Sequence, residues 1–117
     1  MVGTIPARAR MHDRPVGRGY TRLQATAAMP WKTRKAASDT DSSIRAHEFH
    51  HSSLEGLPAD QHYAYDVLRG TGIDGDHDGF VYNNLVACYI HQRHTQANPW
   101  VARFVDFVRQ HKQSNTR

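Results

Sequence analysis

Cysteine is nearly absent from this chain: Cys88 is the only one in 117 residues. A lone thiol closes no internal disulfide, which excludes a disulfide-stapled secreted module and makes the reducing cytoplasm the default expectation. Long apolar runs are missing as well. None approaches the roughly 20 residues that a bilayer span needs, and no apolar segment follows Met1 as it would in a secretory signal. There is no internal repeat and no G-x-x-x-x-G-K-[ST] phosphate loop. Hydrophobic residues make up 38% of the chain, low for a self-sufficient domain but too high for disorder. The length allows one domain or part of one.

Acidic residues are scarce at one end. Through residue 37, Asp13 stands alone against eight Lys or Arg, whereas acids outnumber bases in the remainder. A basic, acid-poor segment suits a nucleic-acid patch or a transit peptide. Here the arginines are interleaved with Pro6, Pro15, Gly17 and Gly19, which spoil an amphipathic helix. The expectation is a solvated or anion-facing surface rather than a nucleic-acid partner, and no membrane partner is expected.

What is present reads mostly as strand. In "GRGYTRLQAT", Tyr20, Arg22 and Gln24 alternate with Thr21, Leu23 and Ala25. "HYAYDVLRG" alternates at Tyr63, Tyr65 and Val67, and "GFVYNNLVACYI" is a second β-rich run broken by a turn at Asn83-Asn84. Residues 32–43, "KTRKAASDTDSS", read as an exposed loop. Ile44 to His51 is ambiguous. Only the tail is plainly helical: Trp100, Val101, Phe104, Val105 and Val108 recur at three- and four-residue spacing behind Asn98-Pro99. This predicts a helix from about Pro99 to about His111, capped by Asn98, that lays its stripe on a sheet.

Three motifs carry possible chemistry. His47-Glu48-Phe49-His50-His51 matches the H-E-x-x-H pattern of zinc proteases, with His91 or His94 as a third ligand. That chemistry needs a long helix, and Ser52, Ser53, Gly56 and Pro58 leave little room for one. As a strand, Ile44, Ala46, Glu48 and His50 would face one way and His47, Phe49 and His51 the other. "DGDHDG" places Asp74, Asp76, Asp78 and Gly79 as in a calcium loop, but Leu85 stands where the bidentate glutamate belongs; a tight acidic turn between strands is the preferred reading. Cys88 and His91 invite a thiol–imidazole pair, yet an offset of three on a strand sends them to opposite faces. Cys88 is expected to be a small buried residue, and His91 stands where an apolar strand ends.

In order along the chain, these segments resemble the cobyrinic acid a,c-diamide synthases. "AHEFHHS" resembles their "GHEFHYS", "VYNNLVACYIHQRH" is similar to "VYGNVLASYLHLH", and "MVGTIPARARMHDRPVGRGYTRL" is similar to a "GLLPG…M…GY" stretch. The tryptophan-bearing tail after "HTQANP" fits the family's C-terminus. "MHDRPVGRGY" and "GTGIDGDHDG" look closest to the branch that amidates siroheme. On this likeness the zinc pattern is a by-product of His51 standing where the family has tyrosine.

The resemblance implies an α/β fold, the later part of a class I glutamine amidotransferase (flavodoxin-like) domain, with strands followed by a C-terminal helix. It implies an enzyme that uses glutamine, ATP and Mg to amidate a tetrapyrrole carboxylate. A cysteine thiolate forms a glutamyl thioester and a histidine shuttles its proton. By motif position that histidine is His91, with Glu48, His50 and His47 as supporting residues. Cys88 falls where the family has serine, so the nucleophile belongs to a "GECGG" element expected before residue 1, and ATP and Mg bind elsewhere in the complete enzyme. The chain alone is then expected to be inactive. The alternatives are a non-catalytic partner subunit of a split amidotransferase, and a small zinc protein using His47 and His51.

Overall fold

The computed structural model describes residues 4–31, 43–96 and 98–114. Its elements run β1 (Arg8–Met11), β2 (Gly17–Ala25), β3 (Ile44–His50), β4 (Ser52–Glu55), β5 (Tyr63–Arg69), β6 (His77–Tyr82), β7 (Leu85–Ala87) and α1 (Trp100–Ser114). β3 alternates without exception: Ile44, Ala46, Glu48 and His50 are buried, whereas Arg45, His47 and Phe49 are exposed. β2 follows the same period over its second half, turning Thr21 and Leu23 inward. Side chains that leave a pleated strand on alternate faces produce this pattern when one face meets a core.

Five strands form a sheet in the order β3-β2-β5-β6-β7, and β1 pairs with β4 in a separate two-stranded ribbon. Every strand pairing is antiparallel among the described residues. A sheet followed by one helix agrees with expectation. The parallel, helix-flanked core that defines a flavodoxin-like domain is not formed by these residues, whose short connections suit antiparallel neighbours. β6 and β7 turn about Asn83-Asn84 as predicted, with Asn83 at φ 52°, a left-handed conformation that asparagine tolerates.

The sheet also closes on itself. Beyond β7 the chain crosses to the free edge of β3, where His91 N–H donates to the His47 carbonyl at 2.8 Å and His47 N–H donates to the His91 carbonyl at 3.2 Å. Inside the curl lie Leu23, Ile44, Ala64, Tyr65 and Ile90, none more than 8% exposed. Burying each of the larger ones stabilises the fold by about 1.5–3 kcal/mol.

The helix forms where the spacing predicts, but it does not lay its stripe on the sheet. Val101, Phe104, Val105 and Val108 remain 38–47% exposed. The contact is made on the helix flank by Trp31, just past β2, whose ring meets Phe104 edge-on at 5.0 Å and Phe107 at 5.4 Å. Asn98 is not the side-chain cap either. Its amide reaches Gln92 and Arg103, and the His94 ring accepts the Val101 N–H at 3.2 Å instead. Of the predicted 32–43 loop, residues 32–42 lie outside the described residues. Among those described, no helix is long and apolar enough to cross a membrane.

Candidate functional site

His91 is fixed by its backbone and open at its ring. The two hydrogen bonds to His47 hold the main chain, while the residue itself is exposed. Residues paired directly across an antiparallel bridge share a face, so His91 joins His47 and Tyr20, the partner of His47 on β2, in one row. The His47 and His91 rings lie 5.2 Å apart. They line a shallow cleft of about 960 Å³ with Tyr20, Phe49 and four arginines. The His91 ring makes no hydrogen bond or ion pair with any described residue, which leaves both nitrogens available to a group entering the cleft.

Asp78 holds the segment that carries His91. It is fully buried at the start of β6, and its Oδ1 and Oδ2 accept the N–H groups of Tyr89 and Ile90, each at 3.0 Å. Burial raises its pKa, against the lowering effect of these N–H donors. The acidic turn is thus real in its first half: Asp74 accepts from the N–H groups of Asp76 and His77. Asp78 does something else. An aspartate followed directly by "GFV" enters an apolar strand, and that was the available signal for a buried carboxylate.

Behind the cleft, on the opposite face of β3, sits a second network. Glu48 is 2% exposed. Its Oε2 accepts the Thr71 N–H at 2.6 Å; its Oε1 accepts the Gly72 N–H at 3.0 Å and meets His50 Nε2 at 2.8 Å. Burial alone would raise its pKa, but the hydrogen bonds from Thr71, His50 and Gly72, with the charge of His50, leave it lowered. His50 Nδ1 reaches the Ser52 carbonyl at 3.1 Å, so both ring nitrogens face acceptors. The ring stacks on Tyr89 at 4.1 Å, and the Tyr89 hydroxyl meets Ser52 Oγ at 2.8 Å. Glu48 reaches the cleft wall from behind, its carboxylate already engaged, and His50 touches the His91 segment through Tyr89.

Glycines make room for this network. Gly70 has φ +124°, and an added Cβ would come within 2.7 Å of Thr21 and 2.8 Å of Glu48 Oε2. A Cβ at Gly17 would collide with Glu48 and His50.

The zinc reading fails on geometry. His47 to His51 starts as extended strand, and four residues at ~3.3 Å each separate the two histidines by roughly 13 Å, too far to share one ion. Among the described residues there is no group of three or more His, Cys, Asp or Glu placed to hold a metal. Cys88 keeps exposed surface just past β7, contrary to the expectation of a buried side chain. Desolvation of its sulfur by surrounding atoms and the nearby Asp78 carboxylate push the thiol up to about 12, so at neutral pH it is a protonated, poor nucleophile. The structure brings His47 and His91 together; it does not bring Cys88 to either as an activated thiolate.

Comparison with known proteins places these features in a family. Residues 1–99 match the model of the CobB/CobQ-like glutamine amidotransferase domain. A cobyrinate a,c-diamide synthase of Magnetococcus marinus is 36% identical over 110 residues, covering 94% of this chain and 22% of that protein. Those of Halobacterium salinarum and Archaeoglobus fulgidus are 38% and 33% identical over 78% and 90% of this chain. The chain spans about a fifth of the length of these relatives. A solved structure described as a GMP synthase subunit from Thermoplasma acidophilum superposes with a TM-score of 0.61 at 17% identity, over 95% of this chain and 53% of the other; at that identity it shows the fold. The chain belongs to the CobB/CobQ-like glutamine amidotransferase domain family.

Proposed function

We propose that this chain supplies the histidine-bearing part of a glutaminase site, in an amidotransferase that converts side-chain carboxylates of a tetrapyrrole to amides. The observation that carries the reading is the state of His91: main chain pinned to β3, ring exposed in a cleft and without a hydrogen-bond partner among the described residues. In the reaction a thiolate attacks the glutamine amide carbon, the C–N bond breaks and ammonia leaves. His91 takes the thiol proton and returns it to the departing nitrogen. Cys88, which falls where the related synthases carry serine, is not assigned as that thiol. The nucleophile comes from polypeptide outside these 117 residues, and the chain by itself does not hydrolyse glutamine.

The acceptor class follows from the likeness to cobyrinate a,c-diamide synthases, and the "MHDRPVGRGY" pattern favours siroheme as a second acceptor of that class. ATP with magnesium would activate the acceptor carboxylate. The sequence holds no phosphate loop, and the reading places that chemistry in another part of the complete enzyme. His47, Glu48 and His50 act as positioning residues for the His91 segment.

The test is a chimera in which this chain replaces the matching C-terminal segment of the Magnetococcus marinus synthase. Glutamate release is expected from the chimera and is expected to fall about 10²–10⁴-fold in kcat with His91→Asn, with little change for Cys88→Ser. Full activity of a folded His91→Asn chimera would refute the assignment.

A further inference from the structure

Four arginines from four separate segments, only one of them in the basic first third of the chain, meet on one face of the sheet. Arg22 on β2 lies opposite Arg45 on β3 and opposite Arg69 on β5. Two residues past the isolated His47–His91 bridge, Arg93 lines the same cleft as Arg45. The result is a row Arg69–Arg22–Arg45 across the sheet with Arg93 at its end, and all four residues line the same cleft. Like charges set opposite one another on neighbouring strands destabilise a sheet. None of the four guanidinium groups makes an ion pair or hydrogen bond with another described side chain. The one carboxylate along the cleft wall is Glu48, already taken by Thr71, Gly72 and His50.

The neighbouring rows are aromatic. Tyr20, 82% exposed, stands with His47 and His91, and Phe49, 56% exposed, pairs with Arg18 in the row after that. Arginine and tyrosine side by side are the composition of a protein interface, not of a simple solvated face.

We propose that this face is a docking surface for a partner polypeptide that presents an amphipathic helix, acidic along one edge and apolar along the next. Spacing selects the helix. Neighbouring strands place the guanidiniums about 4.8 Å apart at their roots, and carboxylates three or four residues apart on a helix are separated by about 5–6 Å. Same-face side chains of an extended peptide stand farther apart, at about 6.6 Å. Each guanidinium can hold a carboxylate with two parallel hydrogen bonds, while the apolar edge covers Tyr20 and Phe49. The inference deepens the reading of His91, since a polypeptide that brings a thiol to that ring must cross this face.

The probe is a synthetic helical peptide of about 18 residues, with glutamates at every third or fourth position on one edge and leucines on the next. It is titrated into the full chain and followed by amide NMR. Binding is expected to shift resonances of β2, β3 and β5 and to weaken with salt. Arg22→Glu/Arg45→Glu is expected to weaken it at least about tenfold; Arg8→Glu/Arg14→Glu, an equal change in net charge, is expected to leave it within about twofold. Should the first variant not fold, Arg69→Gln/Arg93→Gln replaces it. Equal weakening by both pairs, no binding at all, or binding of inorganic tripolyphosphate as tight as the peptide's would overturn the proposal. These readouts involve no glutamine chemistry, so failure here leaves the His91 assignment standing, and an active His91→Asn chimera leaves this one standing.

Discussion

Replacing Glu48 by glutamine keeps the side chain's size and removes its charge, and the structure sets the consequence. Two carboxylate oxygens receive three hydrogen bonds, from Thr71 N–H, Gly72 N–H and His50 Nε2. The glutamine amide must put its NH₂ in place of one oxygen. Over Oε2 it would confront the Thr71 N–H, a donor against a donor; over Oε1 it would confront the Gly72 N–H, keeping His50 only as an acceptor in its Nδ1–H tautomer. At least one buried donor is left unpaired, at about 1–3 kcal/mol, and the surviving bonds lose their charge assistance. The total is roughly 2–4 kcal/mol at pH 7. In a chain of this size that lowers Tm by roughly 8–15 °C.

The pH dependence has a definite sign. The folded carboxyl titrates below 4.5, its ordinary value, because donated hydrogen bonds outweigh burial. Such a group contributes stability that is fully present above the unfolded pKa and is lost as pH falls through the folded one. The gap between wild type and Glu48→Gln is therefore wide at pH 7 and narrows below about pH 4.5. Urea unfolding of the full chain at pH 7, 5 and 4 measures it. A gap below about 0.5 kcal/mol at pH 7, or one that stays constant with pH, would refute the reasoning. If Glu48→Gln does not fold, a coupling energy from milder substitutions at Glu48 and His50 reads the same interaction.

Two further outcomes follow from the same geometry. Gly70→Ala must hold a left-handed φ and push its Cβ toward Thr21 and Glu48, so it is expected to lose roughly 2–4 kcal/mol in the same unfolding assay; a neutral result would mean the turn relaxes freely. Cys88, with its thiol near 12, is expected to react with iodoacetamide far more slowly at pH 7–8 than a free thiol and to accelerate steadily toward pH 11. A fast reaction at neutral pH would contradict the environment described for it.

Much of the sheet was legible because its alternation is carried by apolar residues. β2 shows it at Leu23, β5 at Tyr63 and Tyr65, and the Asn83-Asn84 turn announces the β6–β7 hairpin. β3 was ambiguous for a physical reason: two of its four buried positions, Glu48 and His50, are ionisable, so a hydrophobicity pattern cannot reveal them. The burial of Glu48 depends on partners more than 20 residues away at Thr71 and Gly72, and that of His50 on Glu48 and the Tyr89 ring. β1 and β4 are four residues each, exposed or partly so, and carry no periodic signal. The helix was found from its spacing, but its packing partner, Trp31, lies in another segment and meets only Phe104 of the stripe, together with Phe107. At the site, the sequence reading put His91 at the end of an apolar strand, whereas β7 ends at Ala87 and His91 forms an isolated bridge to His47. Its pairing with His47 and the Asp78 clamp are long-range facts that only the closed sheet displays.

The central claim is that His91 serves a sulfur carried by other polypeptide. Disulfide trapping in the Magnetococcus marinus chimera tests it most directly, since a bridge forms only when two Cβ atoms approach to about 3.5–4.5 Å. With His91→Cys in the otherwise intact chimera, mild oxidation is expected to link position 91 to the glutaminase cysteine, while Tyr82→Cys, exposed at the end of β6, stays free. A linkage at 82 with none at 91 would contradict the account.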